Sequence, residues 1–316
     1  MTTRAVVVGA SGYAGSELCR WILDHPSLSL AGVCSRQHAG QPLGAIVPAL
    51  AGVTDLRFEP IAESVLGAAD LVFLALPHGA AAEVVPLARR SRILDLSADH
   101  RLDPAWTYGL VDWTGPELAS ASRVAVPGCF ATAILLSIAP FCAADQINGP
   151  VCVAAATGST GAGASPVGAT HHPERFANFK AYKVLGHQHG AEIAAALGRL
   201  GRAPTVHFVP QSAPLDRGIF ATTFVPVADA DAAPGLVAEA YARSPLVRLR
   251  TESPEVRHVR GSAFADLAIA TAPGMAVVLA AIDNLGKGAA TQAIQCANRM
   301  IGLADDTGLR RAAATP

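Results

Sequence analysis

The sequence predicts an α/β protein, in which a doubly wound parallel sheet is followed by a second domain of the α+β class. Three observations lead to this prediction. Short apolar segments alternate with helical segments up to residue 129, as in parallel sheets built from βαβ units. Beyond residue 150 the pattern is richer in strands and half-alternating, which is typical of a mixed or antiparallel sheet with helices on one face. The 316 residues fit two domains of roughly 150 residues each.

The composition narrows the classes of function. Apolar residues make up 51% of the chain and charged residues 16%, so a large core is expected and disorder is not. A net charge of -1 argues against a nucleic-acid-binding surface and a polybasic membrane patch. The six cysteines have no C-x-x-C spacing, which indicates a reduced, cytoplasmic protein and disfavours structural zinc. We find no signal-peptide pattern and no apolar run long enough to span a bilayer.

The first elements predict a dinucleotide-binding loop. Residues 4–8 form an apolar strand, a glycine-rich turn follows, and a helical pattern runs over 16–24. The turn has G-x-x-G-x-x-G spacing, and its cofactor-binding candidates are Gly9, Ser11, Gly12, Tyr13, Ala14 and Gly15. Glycines let the backbone approach a pyrophosphate, and the helix N-terminus offers N–H donors to it. The alternative is a turn that serves only close helix–strand packing.

The second strand, residues 28–34, ends at Ser35 and Arg36. NAD-dependent enzymes carry an acidic residue at this point, where it binds the ribose 2′-hydroxyl. Serine and arginine can instead bind a 2′-phosphate. The sequence therefore favours NADP over NAD, the alternative being a surface arginine at a strand end.

Further strands are predicted at 70–78 and 93–97, with a helix over 80–90 between them. Ligands of parallel sheets bind at the carboxyl ends of strands. Pro77, His78 and Ser97 lie at such ends and are cofactor-binding candidates. His78 is equally well explained as a polar cap on a turn.

Cys129 follows a Pro-Gly turn and precedes an apolar, helix-prone run over residues 131–139. A thiol just before a helix lies in the positive end of the helix dipole, which favours the nucleophilic thiolate. The alternative is a buried cysteine that acts as a small apolar residue.

The second domain is predicted to contain strands at 150–156, 205–210, 219–227, 265–271 and 275–282. One helix is expected after residues 184–193, ending near residue 200, and two more over 235–242 and 287–300. A glycine-rich turn, residues 157–165, follows the first of these strands.

Several polar side chains of this domain are candidates for chemistry. His187 and His189 could be a metal pair if they share one face of a strand, but no third ligand follows, and acid/base work beside a thiolate is the better interpretation. Arg217 and the turn Ser159-Thr160-Gly161 are candidate oxyanion binders, or ordinary turn chemistry.

Eight segments carry a resemblance to a known family. They are Gly9-Ala-Ser-Gly-Tyr-Ala-Gly15, Ser35-Arg36, Leu76-Pro-His-Gly79, Asp95-Leu-Ser-Ala-Asp99, Pro127-Gly-Cys129, Gly186-His-Gln-His-Gly-Ala-Glu-Ile193, Arg217-Gly-Ile219 and Ala281-Ile-Asp-Asn-Leu-Gly-Lys-Gly288. In order and along almost the whole chain, they resemble the N-acetyl-γ-glutamyl-phosphate reductases, relatives of the aspartate-semialdehyde and phosphorylating glyceraldehyde dehydrogenases. The resemblance implies a Rossmann domain (1–129 and 286–316), an inserted glyceraldehyde-phosphate-dehydrogenase-like α+β domain (130–285) and a homodimer or homotetramer.

The resemblance also implies roles. An NADP-dependent enzyme would reduce an acyl phosphate to a semialdehyde and phosphate. Cys129 corresponds to the nucleophile, and Asn284 to a residue near the nicotinamide. His187 is the favoured acid/base, because related enzymes place theirs directly after a glycine; His189 is the second choice.

One departure concerns the substrate. Family members that act on N-acetylglutamyl phosphate commonly carry a basic residue after Ser-Gly-Ala-Gly, whereas Gly161-Ala-Gly-Ala164 is followed here by Ser165. The stretches 171–175 and 181–183 are more similar to a branch that reduces aminoadipyl phosphate held by a small acidic amino-group carrier protein. The basic residues of this region are His171, His172, Arg175, Lys180 and Lys183. They would form a face for an acidic partner, or an ordinary solvated charge run.

Two other functions stay open from the sequence. One is an NADP-dependent dehydrogenase of a free semialdehyde that needs no phosphate. The other is a non-catalytic NADP-binding or carrier-docking protein, against which Cys129 and the two histidines argue.

Overall fold

The computed structural model describes residues 2–313 and divides into two compact units. The first unit runs to Pro127 and includes Ala289–Arg310; the second comprises Gly128–Gly288 and the described residues beyond 310. Gly128, Cys129 and residues 286–288 and 311–313 thus belong to the second unit, whereas they were expected in the first. Within residues 2–313, no helix combines the length and the apolar character needed to cross a membrane.

The first unit alternates strands and helices. Its strands are β1 (Thr3–Val8), β2 (Leu28–Cys34), β3 (Phe58–Glu59), β4 (Leu71–Leu74), β5 (Arg92–Asp95), β6 (Thr107–Tyr108) and β7 (Arg123–Ala125). Its helices are α1 (Tyr13–Leu23), α2 (Leu43–Ile46), α3 (Glu63–Leu66), α4 (Ala81–Val84), α5 (Val111–Leu118) and, from the end of the chain, α10 (Thr291–Met300).

The strands of this unit form one parallel sheet in the order β3-β2-β1-β4-β5-β7-β6. The order reverses between β1 and β4, which makes their carboxyl ends the expected ligand-binding edge. Apolar side chains cover both faces: Val6, Val72 and Ile93 belong to the core cluster under α3 and α4, while α1 packs on β1 and β2 and α10 packs on β5. The prediction of a doubly wound parallel sheet is confirmed.

The second unit contains the remaining elements. Its strands are β8 (Val151–Thr157), β9 (Lys180–Ala181), β10 (Val206–Ser212), β11 (Ile219–Pro226), β12 (Val247–Leu249), β13 (Ala265–Ala272) and β14 (Met275–Ile282). Its helices are α6 (Cys129–Ala143), α7 (His172–Arg175), α8 (His189–Gly198) and α9 (Ala233–Tyr241). The strand order is β12-β13-β14-β11-β8-β10-β9, with parallel and antiparallel pairs, so the predicted mixed sheet is also confirmed.

Helices cover one face of the second sheet. α6 packs against β11 and β14 and is flanked by α8 and α9. Alternate residues of β11, such as Ala221 and Thr223, are buried beneath this layer. The residues between them face the other way, and Phe224 is 42% exposed. We call this second surface the open face; it carries Cys152, Phe220, Phe224, Val277 and Leu279 in neighbouring positions of β8, β11 and β14.

Three helices differ from the prediction. α1 begins at Tyr13 rather than residue 16, because Gly12 is its N-cap. The helix expected over 80–90 is the single turn α4, followed by a 3-10 turn over Val85–Ala88, since Pro86 has no N–H to continue the α-helical ladder. The tail helix is preceded by a π-turn over Gly286–Ala290.

Candidate active site

The glycine loop of the first unit is sterically committed to glycine at two positions. Gly9 has φ of 85°, and a Cβ there would lie 2.3 Å from the carbonyl oxygen of Ala75. A Cβ on Gly15 would lie 2.2 Å from the carbonyl oxygen of Gly9. The loop closes on itself through the Gly12 N–H, which donates to Gly9 O at 3.1 Å. Because α1 starts at Tyr13, the N–H groups of Tyr13 and Ala14 belong to its first turn, where a phosphate binds best.

The other cofactor candidates of this unit lie at the same sheet edge. The Gly9 N–H donates to Cys34 O, and the Ala75 N–H donates to Val8 O, both at 2.9 Å. The ends of β1, β2 and β4 therefore meet. Beside them is a cavity of about 310 Å3 whose lining includes Ser35 and Arg36. The sheet edge thus fits a dinucleotide, with the predicted 2′-phosphate residues in a concave surface.

His78 and Ser97 mainly hold turns together. The Ala98 N–H donates to His78 Nδ1 at 3.0 Å. The Ser97 hydroxyl donates to Asp95 at 2.9 Å and accepts from the Asp99 N–H at 3.1 Å. These bonds account for the Ser97 hydroxyl, while Pro77 and His78 remain exposed.

Asp99 fixes the turn that leads into α4. Its carboxylate accepts from the Gly79 N–H at 2.7 Å and from the Ala81 N–H at 3.0 Å. Partial burial disfavours the charged form, but the two N–H donors, together with the nearby His100 and His78, outweigh it, so the pKa of Asp99 lies below its ordinary value. The start of α4 is thereby tied to the turn after β5.

Cys129 is the first residue of α6, not a residue before it, and Gly128 is the N-cap. The thiol therefore lies in the first helical turn, where the field of the helix favours a thiolate. A Cβ on Gly288 would lie 2.8 Å from the Cβ of Cys129, so the 286–290 turn packs directly against the cysteine. Any residue larger than glycine at position 288 would therefore require a shift of its neighbours.

A buried carboxylate fixes the backbone before the cysteine. Glu192, 4% exposed, lies in α8 and accepts a hydrogen bond from the Gly128 N–H at 2.8 Å. Because α8 begins at His189, one short helix carries both a candidate acid/base and the residue that holds the turn before Cys129. Glu192 was assigned no role from the sequence, although it lies three residues after His189 in the segment Gly186-His-Gln-His-Gly-Ala-Glu-Ile193.

His187 lies in a cluster of aromatic rings. Phe130, Phe208, Tyr182 and His189 surround it at centroid distances of 5.5, 5.5, 5.9 and 4.7 Å. Burial, together with the Lys183 charge, lowers the pKa of His187 to about 4. The His189 N–H donates to its Nδ1 at 3.2 Å, so the proton of the neutral ring is on Nε2. Phe130, the residue after Cys129, contacts both histidines, which brings this cluster to the start of α6.

Tyr182 is a second residue that the sequence reasoning did not assign. Burial, reinforced by the charge of Cys129, raises the pKa of Tyr182 to about 12, against a smaller opposing effect of Arg175. The phenol is thus a neutral hydrogen-bond donor within electrostatic range of the thiol.

The remaining candidates cluster at one end of β8, β11 and β14. Asn284 accepts from the Gly218 N–H at 2.7 Å and donates to the Thr160 hydroxyl at 3.0 Å. Arg217 pairs with the buried Asp283, Nη2 to Oδ2 at 2.9 Å. These contacts join the turns that follow β8 and β14 to the turn that precedes β11.

Backbone contacts already use much of the 159–161 turn. The Ser159 and Thr160 N–H groups donate to Leu215 O and Asp216 O at 2.9 and 3.0 Å, and the Thr160 hydroxyl also donates to Asp216 O at 2.7 Å. The Ser159 hydroxyl has no such role and is half-exposed. It is the donor of this turn that a substrate could still use.

The basic residues of 171–183 do not form one continuous cationic face. The Arg175 guanidinium points inward and donates to the carbonyls of Thr157, Ala213 and Leu215 at 3.2, 2.6 and 3.2 Å, and to the Ser212 hydroxyl. His171, His172, Lys180 and Lys183 are exposed. Over residues 2–313, no group of three or more His, Cys, Asp or Glu side chains is arranged to hold a metal ion.

Family models match both units. Residues 4–121 match the model described as semialdehyde dehydrogenase, NAD binding domain, and residues 129–284 match semialdehyde dehydrogenase, dimerisation domain. The two matches together span most of the chain, and their limits fall close to those of the compact units.

Full-length relatives share about two fifths of the sequence. N-acetyl-gamma-glutamyl-phosphate reductase of Acidothermus cellulolyticus is 43% identical, with 100% of both chains covered. The enzymes of the same name from Salinispora arenicola and Methanosarcina mazei are 41% and 40% identical, with at least 98% of each chain covered.

Solved structures of low identity share the fold. A probable aspartate-semialdehyde dehydrogenase from Pseudomonas aeruginosa has a TM-score of 0.78 at 18% identity, covering 95% of this chain and 99% of that one. Aspartate semialdehyde dehydrogenase with NADP from Candida albicans has a TM-score of 0.74 at 12% identity, covering 97% and 100%. With the family models and the full-length relatives, this likeness shows that the chain belongs to the semialdehyde dehydrogenase family and, within it, to the N-acetyl-γ-glutamyl-phosphate reductases.

Proposed function

We propose that this protein reduces an N-blocked γ-glutamyl or δ-aminoadipyl phosphate to the semialdehyde and inorganic phosphate, with NADPH, in arginine- or lysine-type amino-acid biosynthesis. The observation that carries the proposal is the placement of Cys129 in the first turn of α6, with the backbone before it held by Glu192 and the His187 cluster next to it. The cytoplasm, where thiols stay reduced, suits such chemistry.

In the proposed mechanism, the Cys129 thiolate attacks the acyl carbon. The C–S bond forms, the bond from carbon to the phosphate oxygen breaks, and the departing phosphate takes one proton from solvent to leave as hydrogen phosphate. The thioester divides one difficult reduction into two easier steps. NADPH, when bound, supplies the hydride. Hydride addition to the thioester leaves the alkoxide of a hemithioacetal on Cys129, and its C–S bond then breaks, which releases the aldehyde and restores the thiolate.

The histidine cluster suits the oxygen that becomes negative in both steps. We assign this role to His187, with His189 as second choice. A pKa of about 4 keeps the His187 ring neutral at pH 7. The neutral ring still carries its proton on Nε2, and this Nε2–H can donate a hydrogen bond to the developing oxyanion. N–H groups of the first turn of α6 would donate to the same oxygen.

The other candidate residues have supporting roles in the proposal. Gly9 to Gly15 would hold the pyrophosphate, and Ser35 and Arg36 the 2′-phosphate. Pro77, His78 and Ser97 would shape the nicotinamide site. The Ser159 hydroxyl and Arg217 would bind the substrate's phosphate or carboxylate, while Thr160 and Gly161 would shape the turn that presents Ser159. Arg217 is held in one orientation by Asp283.

Replacing Cys129 with Ser tests the proposal. Because an alcohol is a far weaker nucleophile than a thiolate, turnover should fall by at least about 1000-fold while NADPH binding is unchanged. The readout is phosphate-dependent reduction of NADP with a semialdehyde, alongside NADPH titration by fluorescence.

The matched control is Cys152→Ser, the same conservative exchange at an exposed cysteine of the open face, outside the Cys129 and His187 cluster. This variant should keep normal turnover. Near-normal turnover of the Cys129 variant would overturn the proposal. Turnover of the unmodified protein that needs neither phosphate nor arsenate would instead indicate a non-phosphorylating dehydrogenase.

The carrier-bound substrate is a second candidate. Exposed His171, His172 and Lys180 favour an acidic partner, and the exposed rings of Phe176 and Phe179 add apolar area to the same segment. The inward-facing Arg175 weakens the case. Comparing kcat/KM for N-acetylglutamyl phosphate with that for a carrier-linked acyl phosphate separates the two substrates.

We also propose that the protein forms a homo-oligomer through the open face of the second sheet. Phe220, Phe224 and Leu279 give this face an apolar character that a single copy leaves in contact with water. The family model that covers this unit is named for dimerisation.

A further inference from the structure

The cavity beside the glycine loop contains a carboxylate as well as a cation. Its lining includes Ser35, Arg36, the apolar side chains of Pro60 and Ile61, and Glu83. Glu83 lies in α4, and its Oε2 pairs with Arg36 Nη2 at 2.5 Å. The only arginine in this lining is therefore already neutralised by a residue 47 positions further along the chain.

This pair has different consequences for the two nicotinamide cofactors. A 2′-phosphate must displace Glu83 from Arg36 or share the guanidinium with it, and in either case the nearby carboxylate repels its negative charge. A ribose 2′-hydroxyl needs no displacement, because it can donate to a carboxylate, as it does to the acidic residue of NAD-binding folds. One pair of side chains thus opposes NADPH and suits NADH.

We propose that Glu83 is a specificity-determining residue that restrains NADPH binding and allows the protein to use NADH as well. The inference rests on the proposed 2′-phosphate site at Arg36. The same cavity would accept either cofactor, and the Arg36–Glu83 pair would set the ratio between them.

Glu83 cannot withdraw far from the cavity when it is displaced. Asp99 holds the start of α4 through the Gly79 and Ala81 N–H groups, and Val84, the next residue, is 1% exposed. The backbone of Glu83 is therefore fixed, and only its side chain can turn away. Since both partners are more than half exposed, the ion pair is weak, and its effect on cofactor binding should be several-fold rather than absolute.

The test is Glu83→Gln, measured as kcat/KM and KM with NADPH and with NADH. Removing the charge should lower KM for NADPH by about 3- to 10-fold and raise KM for NADH by about 2- to 5-fold. The gain for NADPH should shrink at high salt, because the Arg36–phosphate contact is exposed. The folded state should be unaffected, since the side chain is at the surface.

The matched control is Glu63→Gln. Glu63 also forms an exposed ion pair, with Arg89 at 2.9 Å, in the same unit, and its loss should leave both KM values within twofold. The inference is overturned if Glu83→Gln changes the NADPH-to-NADH preference less than twofold, or no more than the control does.

Arg36→Ala separates this inference from the proposed cofactor site. If that variant binds NADPH about 10-fold or more weakly while Glu83→Gln changes nothing, the 2′-phosphate site stands and the role of Glu83 is wrong. If Arg36→Ala also leaves NADPH binding unchanged, the 2′-phosphate site itself is wrong.

Discussion

At the scale of single residues, the low pKa of His187 makes the stability of the folded protein depend on pH. Its folded pKa of about 4 lies below the ordinary value of 6.5, because the ring is partly buried among aromatic side chains. Between these two values, the unfolded chain binds a proton that the folded protein does not. Stability should therefore fall as the pH decreases from about 6.5 to about 4.

Replacing His187 with Gln should flatten the pH dependence of stability in that window. The melting temperature of both proteins between pH 4 and 8 measures it. His207→Gln is the control, since His207 is an exposed histidine on β10 of the same unit. Equal slopes for the unmodified protein and the His187 variant would contradict the low pKa. In kcat, the same low pKa predicts no inflection near pH 6.5 from this residue.

The local setting of the candidate residues can be recognised in the sequence, whereas their tertiary partners cannot. A cysteine at a helix start and two histidines near glycines can be recognised from local pattern alone. Arg36 and Glu83 are 47 positions apart, and Arg175 reaches carbonyls up to 40 positions away. Such pairings depend on the tertiary fold, so the sequence prediction treated both arginines as available for ligands.

At the scale of elements, α8 links the histidines to the cysteine. His189 begins this helix, and Glu192, one turn later, accepts from the Gly128 N–H. A hydrogen bond from a buried N–H to a charged acceptor contributes about 1.5–3 kcal/mol. We infer that Glu192 is a positioning residue for Cys129.

Glu192→Ala should lower kcat by about 10- to 100-fold with little change in the dissociation constant of NADPH, because the first turn of α6 loses its support. Glu192→Gln should recover most of the activity, since its amide oxygen can still accept the hydrogen bond. In the Gln variant, Cys129 should also react with an alkylating agent at a lower pH, because a negative charge near the thiolate has been removed. Equal damage from both substitutions, or an unchanged alkylation profile, would indicate a merely structural carboxylate.

Strands of seven or eight residues were predicted closely, and strands of two residues were missed. The strand over 28–34 was predicted at its observed limits, and β11, β13 and β14 within a residue, because seven or eight consecutive positions rich in apolar residues give a clear signal. β3, β6 and β9 have two residues each, too few for any period. α5 was hidden by Gly115 and Pro116 and contains non-helical dihedral angles at Thr114.

At the scale of the whole molecule, the open face should determine the oligomeric state. Phe224→Glu places a charge in the centre of this apolar surface and should convert the oligomer to monomers, or weaken it by at least about 100-fold. Light scattering after size-exclusion chromatography measures the mass. Phe176→Glu is the control, because Phe176 is 71% exposed on another part of the second unit and should leave the mass unchanged. An unchanged mass for Phe224→Glu would exclude this face as the interface.

The first unit closes with a helix that is made last. α10 has nine buried residues among ten and packs on α1, α5 and β5, yet residues 128–288 separate it from the rest of its unit. During synthesis, the whole second unit can therefore leave the ribosome before α10 is translated, so that one side of the first sheet is still uncovered. Translation of about 160 residues takes roughly 10 to 30 s, and during that time the uncovered side is an apolar surface that chaperones can bind. Truncation or stalling before residue 291 should therefore yield a cofactor-binding unit that aggregates rather than folds.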